Sequence, residues 1–159
     1  MACPICYDIH PMSHAYYINN AHVVFHTGRR IIRDSELERL HAFIAALARE
    51  CKVRQVLVGG VADHIHLLGD FPMDKAPADV ICTLKANSSR WLKGVHSYYS
   101  DFSWQQGYGY FAVSASIRPD VVRYINNQAI HHLKESAPAE FERMKRLHEI
   151  AAYGEAYKV

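Results

Sequence analysis

The chain of 159 residues lacks the features of a secreted, membrane-bound or disulfide-stabilised protein. No apolar run approaches the roughly 18 residues that a membrane span needs, and the N-terminal stretch lacks the basic start and long apolar centre of a signal peptide. Its 4 cysteines are too few for a disulfide framework in a chain of this length. We therefore expect a cytoplasmic protein from a reducing compartment, without membrane contact.

An excess of charge of one sign is also missing. The chain has 18 Lys and Arg against 16 Asp and Glu, and a net charge of +2 does not by itself indicate a nucleic-acid partner. Apolar residues make up 50% and charged residues 21%, the balance of a compact domain with a buried core. Without repeats, low-complexity tracts or linkers, the sequence predicts an irregular lead over 1–14 and one domain over 15–159.

Hydrophobic periodicity predicts the element order β, α, β, β, α, β, followed by two helices. Ser35 and Glu38 have the spacing of a capping box at the start of the first helix, and Gly59 with Gly60 suggests a hairpin turn. This order predicts an α+β, ferredoxin-like sandwich: a mainly antiparallel four-stranded sheet with helices on a face, plus additional C-terminal helices. The predicted strands cover 15–27, 53–60, 63–71 and 107–116, and the predicted helices cover 34–51, 76–93, 119–136 and 138–153.

The segment VADHIHLLG, residues 61–69, places two histidines in a run that otherwise predicts a buried strand. Because side chains alternate across a strand, His64 and His66 face one way while Ile65 faces the other. The two imidazoles form either a chelating pair or a structural pair. Asp63 before them either orients an imidazole or caps the preceding turn.

Two families of histidine-dependent phosphoesterases are disfavoured. Histidine-triad hydrolases need a third alternating histidine, and Leu68 occupies that place. Two-histidine phosphodiesterases need a second histidine motif ending in serine or threonine at the third position, and neither HHLK nor HSYY has that spacing.

The helix predicted over 119–136 separates apolar from polar positions. At about 100° per residue, its apolar residues form one stripe, and Tyr124, Gln128 and His131 form another. A tyrosine that only filled the core would lie within the apolar stripe. The polar stripe is therefore a candidate site, with a solvated face or a subunit contact as the alternative.

Five segments, in their order and spacing, resemble one family. They are HVVFHTGRR, VGGVADHIHLL, LKANSSRW, WQQGYGYFAVSAS and VVRYINNQAIHH, and the resemblance that they carry extends from about residue 15 to residue 132. The chain resembles the single-tyrosine HUH transposases, the TnpA type of small bacterial insertion sequences. Ala62 stands where proline is common in that family, and the tail after His132 resembles the family only loosely.

The resemblance implies a metal-dependent enzyme that nicks and rejoins single-stranded DNA through a 5′-phosphotyrosine. It implies that Tyr124 is the nucleophile and that His64, His66 and Gln128 bind a divalent metal, Mg²⁺ or Mn²⁺. Nitrogen and oxygen ligands with open positions suit these ions. His132 or the neighbouring His131 either relays protons or caps the helix end.

The resemblance also implies two partners. These are single-stranded DNA with hairpins and a second copy of the chain, in a homodimer whose tyrosine helix acts in trans. Single-strand binding needs cations for the phosphates and aromatic faces for the bases. Candidate DNA-binding residues are Arg29, Arg30, Arg33, Lys85, Arg90, Lys93 and Tyr108, with Tyr110 as a further aromatic candidate.

Two other functions stay open: a domesticated enzyme acting on repeated hairpins, and a DNA-hairpin-binding module without catalysis. The lead raises a separate question, because Cys3, Cys6, His10 and His14 resemble a zinc-ligand set. Their second gap is shorter than that of a zinc finger, which disfavours a structural zinc.

Overall fold

The computed structural model describes residues 16–128 and 136–153, apart from the side chains of residues 137 and 147–153. The N-terminal Cys and His motif, His131 and His132 lie outside these residues. The strands are β1 (Asn20–Arg29), β2 (Arg54–Val61), β3 (His64–Asp70), β4 (Ser103–Trp104) and β5 (Gly109–Ala112). The helices are α1 (Asp34–Glu50), α2 (Pro77–Val95), α3 (Arg118–Asn126) and α4 (Ala137–Tyr153), with a short 3-10 helix at Ser97–Tyr99.

The five strands form one antiparallel sheet in the order β2-β3-β1-β4, and β5 also pairs with β1. The third strand therefore lies between the first two, as a ferredoxin-like βαββαβ order requires. The predicted α+β fold is confirmed. The two-residue strand β4 was not predicted, because two residues show no periodicity.

The main core lies between α1, α2 and one face of the sheet. Phe25 of β1 and Ile65 of β3 are fully buried there, against Ile44 of α1 and Leu84 of α2. Burying a side chain of this size contributes about 1.5–3 kcal/mol. The opposite face carries a smaller apolar cluster, in which Val24, Phe111, Phe141 and Met144 connect β1 and β5 to α4.

The start of α1 differs from the prediction. Arg33 occupies the N-cap position without a side-chain hydrogen bond to the helix end. The Ser35 hydroxyl donates to Glu36 at 2.7 Å, so the predicted capping box is wrong. Asp34 and Glu36 place negative charge in the first turn, where the helix dipole is favourable to it.

The glycine pair does not form the hairpin turn. Gly59 and Gly60 belong to β2, and the turn falls at residues 62–63. Gly60 has a φ of 140°, and a Cβ there would lie 2.4 Å from the His64 carbonyl oxygen. A Cβ on Gly59 would lie 2.6 Å from Cγ2 of Ile125. The two glycines thus allow β3 and α3 to approach β2 closely.

The third helix ends earlier than predicted. α3 stops at Asn126, and the Asn127 amide donates to the carbonyls of Arg123 and Tyr124. Gln128 follows directly after this turn. The remainder of the predicted helix, residues 129–135, lies outside the described part of the chain.

The composition predicts no membrane span and no disulfide framework, and the described residues bear on both expectations. Over 16–128 and 136–153, none of the helices combines the length and the apolar character needed to cross a membrane. Cys51 and Cys82 are free thiols.

We expect Gly59→Ala to lower the free energy of unfolding by about 1–3 kcal/mol, because the added methyl group would overlap Ile125. Denaturant unfolding followed by circular dichroism measures this change. Gly94→Ala is the matched control, because a Cβ at this exposed position in α2 meets open space. It should raise stability by about 0.5–1 kcal/mol. Unchanged stability in Gly59→Ala would contradict this packing of α3 on β2.

Candidate active site on the histidine face of the sheet

Four imidazoles share the sheet face opposite the main core. The antiparallel register pairs His26 with His64, and Val24 with His66, while His22 lies two residues before Val24 on β1. The ring centroids of His64 and His66 are 4.7 Å apart, those of His22 and His66 are 5.0 Å apart, and those of His26 and His64 are 5.4 Å apart. The sequence analysis missed His22 and His26, although their even spacing in a predicted strand put them on one face.

Hydrogen bonds orient the two central rings. His22 Nε2 lies 2.8 Å from Nδ1 of His66, and the Asp63 carboxylate lies 2.8 Å from Nδ1 of His64. Contacts of this kind fix the orientation of an imidazole that binds a metal through its other nitrogen. Both Nε2 atoms lie close to a carboxylate of α4. His64 Nε2 is 3.5 Å from one Glu140 oxygen, and His66 Nε2 is 3.6 Å from the other.

Tyr124 reaches the same place from α3, and Gln128 reaches it from the helical position after the turn at Asn127. The Tyr124 ring lies 5.8 Å from the His66 ring, in an edge-to-face arrangement. The Tyr124 hydroxyl and the Gln128 Nε2 both donate to Oε1 of Glu140, the amide at 3.0 Å. The structure therefore brings Tyr124, His64, His66 and Gln128 together.

Glu140 connects these groups, and the sequence analysis missed it. The residue is 3% exposed, and burial raises the pKa of the carboxyl, while the charges of His64 and Arg143 oppose that change. Glu140 precedes the buried Met144 by one helical turn, so a carboxylate lies in line with an apolar position. That placement was the available signal. Its distance from the histidines across the fold could not be inferred from the pattern.

A guanidinium completes the surroundings of the phenol. Arg143, one turn before the end of the described side chains of α4, donates from Nη2 to the Tyr124 hydroxyl at 3.2 Å. Its Cζ lies 5.8 Å from the centre of the tyrosine ring. The phenol oxygen therefore has a positive charge beside it.

The donor set fits a divalent cation. His64, His66 and Glu140 each offer one ligand atom, and these atoms lie within 4.8 Å of one another. Gln128 Oε1 is buried and makes no hydrogen bond within residues 16–128 and 136–153. Two imidazole nitrogens with carboxylate and amide oxygens suit an ion of the Mn²⁺ or Mg²⁺ class.

Several predicted DNA-binding residues already have partners within the chain. Arg30 forms an ion pair with Asp101 at 2.8 Å, and the Arg33 guanidinium lies 4.2 Å from the centre of the Tyr98 ring. Lys85 donates to the carbonyls of Gln105 and Gly107 at 2.7 Å and 2.6 Å. Burial lowers the pKa of the Lys85 ammonium. Its visible role is to hold the loop that precedes β5. Arg29 is exposed beside β4.

Lys85, Lys93 and Tyr108 line one groove between α2 and the loop of residues 105–108. A second cavity is lined by the same loop and extends to His26 and Phe141. The loop thus adjoins both a basic groove and the histidine face. Arg90 lines a different cavity, next to Trp91, so it does not belong to this groove.

A family comparison identifies the class of protein. The family model for IS200-like transposases matches residues 15–128, and the chain belongs to that family. A search of curated proteins gave no significant match.

One solved structure shows the same architecture. A protein described as a transposase from Deinococcus radiodurans R1 superposes with a TM-score of 0.57 and 20% identity, over 73% of this chain and 95% of that one. This likeness shows a shared fold. A REP-associated tyrosine transposase bound to a REP hairpin gives a TM-score of 0.49 and 14% identity, over 77% of this chain and 73% of that one.

The nucleophile candidate lies beside the histidines of its own chain. The resemblance implied that Tyr124 would reach the pair of the partner subunit. Here its ring lies beside His66 of the same chain, within the contacts described above. The homodimer and the action in trans stay predictions.

Replacing His22 with alanine should weaken Mn²⁺ binding about 10- to 100-fold, because the His66 ring loses the contact that orients it. Isothermal titration of the full chain with Mn²⁺ measures the affinity. His41→Ala is the matched control, since His41 is a half-buried imidazole on α1. Equal affinities in both variants would contradict an orienting role for His22.

Proposed function

We propose that this transposase nicks and rejoins single-stranded DNA at insertion-sequence ends through a 5′-phosphotyrosine on Tyr124, with a divalent metal ion. One observation carries the proposal. The Tyr124 phenol, in a chain of this transposase family, lies on the histidine face, beside His66 and in contact with the carboxylate that reaches both His64 and His66. A phenol that only filled the core would not share a buried polar cluster of this kind.

His64, His66 and Gln128 would bind the cation, Mg²⁺ or Mn²⁺. When bound, it supplies a positive charge to a non-bridging phosphate oxygen and to the leaving oxygen of the DNA. The protein's part is to hold the ligands in place, through the ring contacts of His22 and Asp63. Because the site is buried, charges there interact more strongly than they would in water.

Tyr124 supplies the nucleophile. A phenol is almost fully protonated at neutral pH and is a weak nucleophile by itself. The Arg143 guanidinium, 3.2 Å from the phenol oxygen, would stabilise negative charge on that oxygen during attack. The new bond joins the tyrosine oxygen to phosphorus, and the bond from phosphorus to the 3′ oxygen breaks. The phenol loses a proton, and the 3′ oxygen gains one.

The phosphotyrosine conserves the energy of the broken bond. A 3′-hydroxyl of another strand can attack phosphorus in the reverse sense, which rejoins DNA and returns the phenol. The cycle therefore balances without a nucleotide cofactor. A strand transferase needs to conserve this bond energy, whereas a simple nuclease does not.

The DNA partner is proposed to be single-stranded with hairpins, as the resemblance implies. Lys93 and Tyr108 in the groove beside α2 offer a cation and an aromatic face, which are the groups that single strands require. The loop at 105–108 leads from this groove to the cavity that contains His26. We infer that the single-stranded DNA follows this loop towards the histidine face.

The covalent step is tested by mixing the protein with Mn²⁺ and single-stranded oligonucleotides carrying varied hairpins. We expect a denaturant-resistant adduct that maps to Tyr124 by mass spectrometry. It should be lost in Tyr124→Phe, in His64→Ala and in the presence of EDTA. We expect the rate of adduct formation to fall by about 100-fold or more, as it does when a catalytic group is removed. Tyr98→Phe, which removes another hydroxyl, is the matched control and should keep the adduct. Hairpin binding without any adduct would instead favour the non-catalytic module.

Action in cis or in trans is tested by mixing the inactive Tyr124→Phe and His64→Ala variants in equal amounts. In trans, a mixed dimer would pair an intact tyrosine with an intact histidine pair and restore the adduct. We expect this restoration, and its absence beyond the background of either variant alone would favour action in cis, in which Tyr124 acts beside its own His66. Recovery of a substantial fraction of wild-type adduct would establish action in trans.

A further inference from the structure

We propose that Glu140 is a direct ligand of the divalent cation, so that the last described helix completes the metal site. This inference rests on the proposed function, and it adds a residue that the resemblance does not supply. The carboxylate comes from α4, beyond the matched residues 15–128.

The distances between ligand atoms carry the first step. The two Glu140 oxygens lie 3.5 Å and 3.6 Å from the Nε2 atoms of His64 and His66. These separations exceed those of ordinary hydrogen bonds. With metal–ligand bonds of about 2.1 Å, neighbouring ligand atoms lie about 3.0 Å apart at 90° and about 3.4 Å apart at a tetrahedral angle. The observed separations are close to the tetrahedral spacing and about 0.5 Å longer than the octahedral one, so small side-chain movements would bring the three groups onto one ion.

Burial supplies the second step. Glu140, His64 and His66 are each 3% exposed or less, so the carboxylate lies where an uncompensated charge is costly. The Arg143 guanidinium donates to the tyrosine oxygen, and its charge also acts on the Glu140 carboxylate. A divalent cation between the carboxylate and the imidazoles would compensate the buried charge where it lies.

Gln128 has a second role in this arrangement. Its Nε2 donates to Glu140 at 3.0 Å, which fixes the carboxylate while Oε1 stays available as a ligand. A carboxylate binds Mg²⁺ or Mn²⁺ more strongly than a neutral amide does, and it reduces the net charge of the site. Two histidines and one carboxylate also leave positions for a phosphate oxygen.

The test compares Glu140→Gln with Glu142→Gln in the full chain. Glu140→Gln keeps the shape of the side chain and removes its charge. Glu142 is on the same helix, is exposed and pairs with Lys145 at 2.8 Å, so it serves as the matched control. By Mn²⁺ titration calorimetry, we expect at least about 10-fold weaker binding in Glu140→Gln and less than a twofold change in Glu142→Gln. Glu140→Asp should recover part of the loss, because it restores a carboxylate.

A second measurement does not depend on the variants. In crystals of the wild-type chain grown with Mn²⁺, a Glu140 oxygen should lie about 2.0–2.3 Å from the anomalous peak. A peak on the histidines with Glu140 more than about 4 Å away would overturn the inference, and so would wild-type Mn²⁺ affinity in Glu140→Gln. If that variant also forms adduct faster, Glu140 occupies the place of the scissile phosphate instead.

These outcomes separate the inference from the proposed function. If the wild-type chain forms the Tyr124 adduct and Glu140→Gln binds Mn²⁺ with unchanged affinity, Glu140 is not a ligand, but the proposed function stands. A wild-type chain that binds no Mn²⁺ and forms no adduct overturns both.

Discussion

The pairing of β1 with β3 is the constraint on which the site depends. The two strands run antiparallel through seven paired positions, from Asn20 opposite Asp70 to His26 opposite His64. Because alternate residues share a face, this register puts His22 and His26 beside His64 and His66, while Phe25 and Ile65 enter the main core. A shift of one strand by one residue would turn the two imidazoles of that strand to the core side and its apolar residues away from the core. Burial of the apolar face therefore fixes the position of the polar one.

On the histidine face of the sheet, α3 packs close to β2 because a glycine leaves room for it. Gly59 lets α3 lie directly on β2, since Ile125 occupies the space of a side chain. That contact places Tyr124 and Gln128 over the central strands. α4 then covers the remaining area through Phe141 and Met144, next to Glu140. The apolar residues of α4 thus provide the burial energy that keeps a carboxylate at a costly location.

The sequence predicts the fold well because its strong signals are periodic. Helices with regular apolar spacing and alternating strands are correctly ordered, and the errors fall where one residue type has two uses. The glycine pair is a turn signal and also a means of close approach, and Ser35 has the spacing of a cap without the geometry. In the site, His64, His66, Tyr124 and Gln128 could be named because each relation is local. His22 and His26 required the strand register, and Glu140 required the path of the chain beyond residue 128, which no local pattern determines.

The candidate site combines imidazoles on the sheet with side chains on two helices that pack against it. The imidazoles lie on central strands, where hydrogen bonds to both neighbours oppose any movement of β3. The phenol and the carboxylate lie on two helices that reach the histidine face through side-chain contacts. The proposed strand transfer needs this arrangement, because a covalent link on Tyr124 would have to survive while one 3′ end leaves and another arrives. The proposed metal ligands on the sheet could keep their geometry throughout, since exchange of the DNA ends would not change the hydrogen bonds that hold β1 and β3 together.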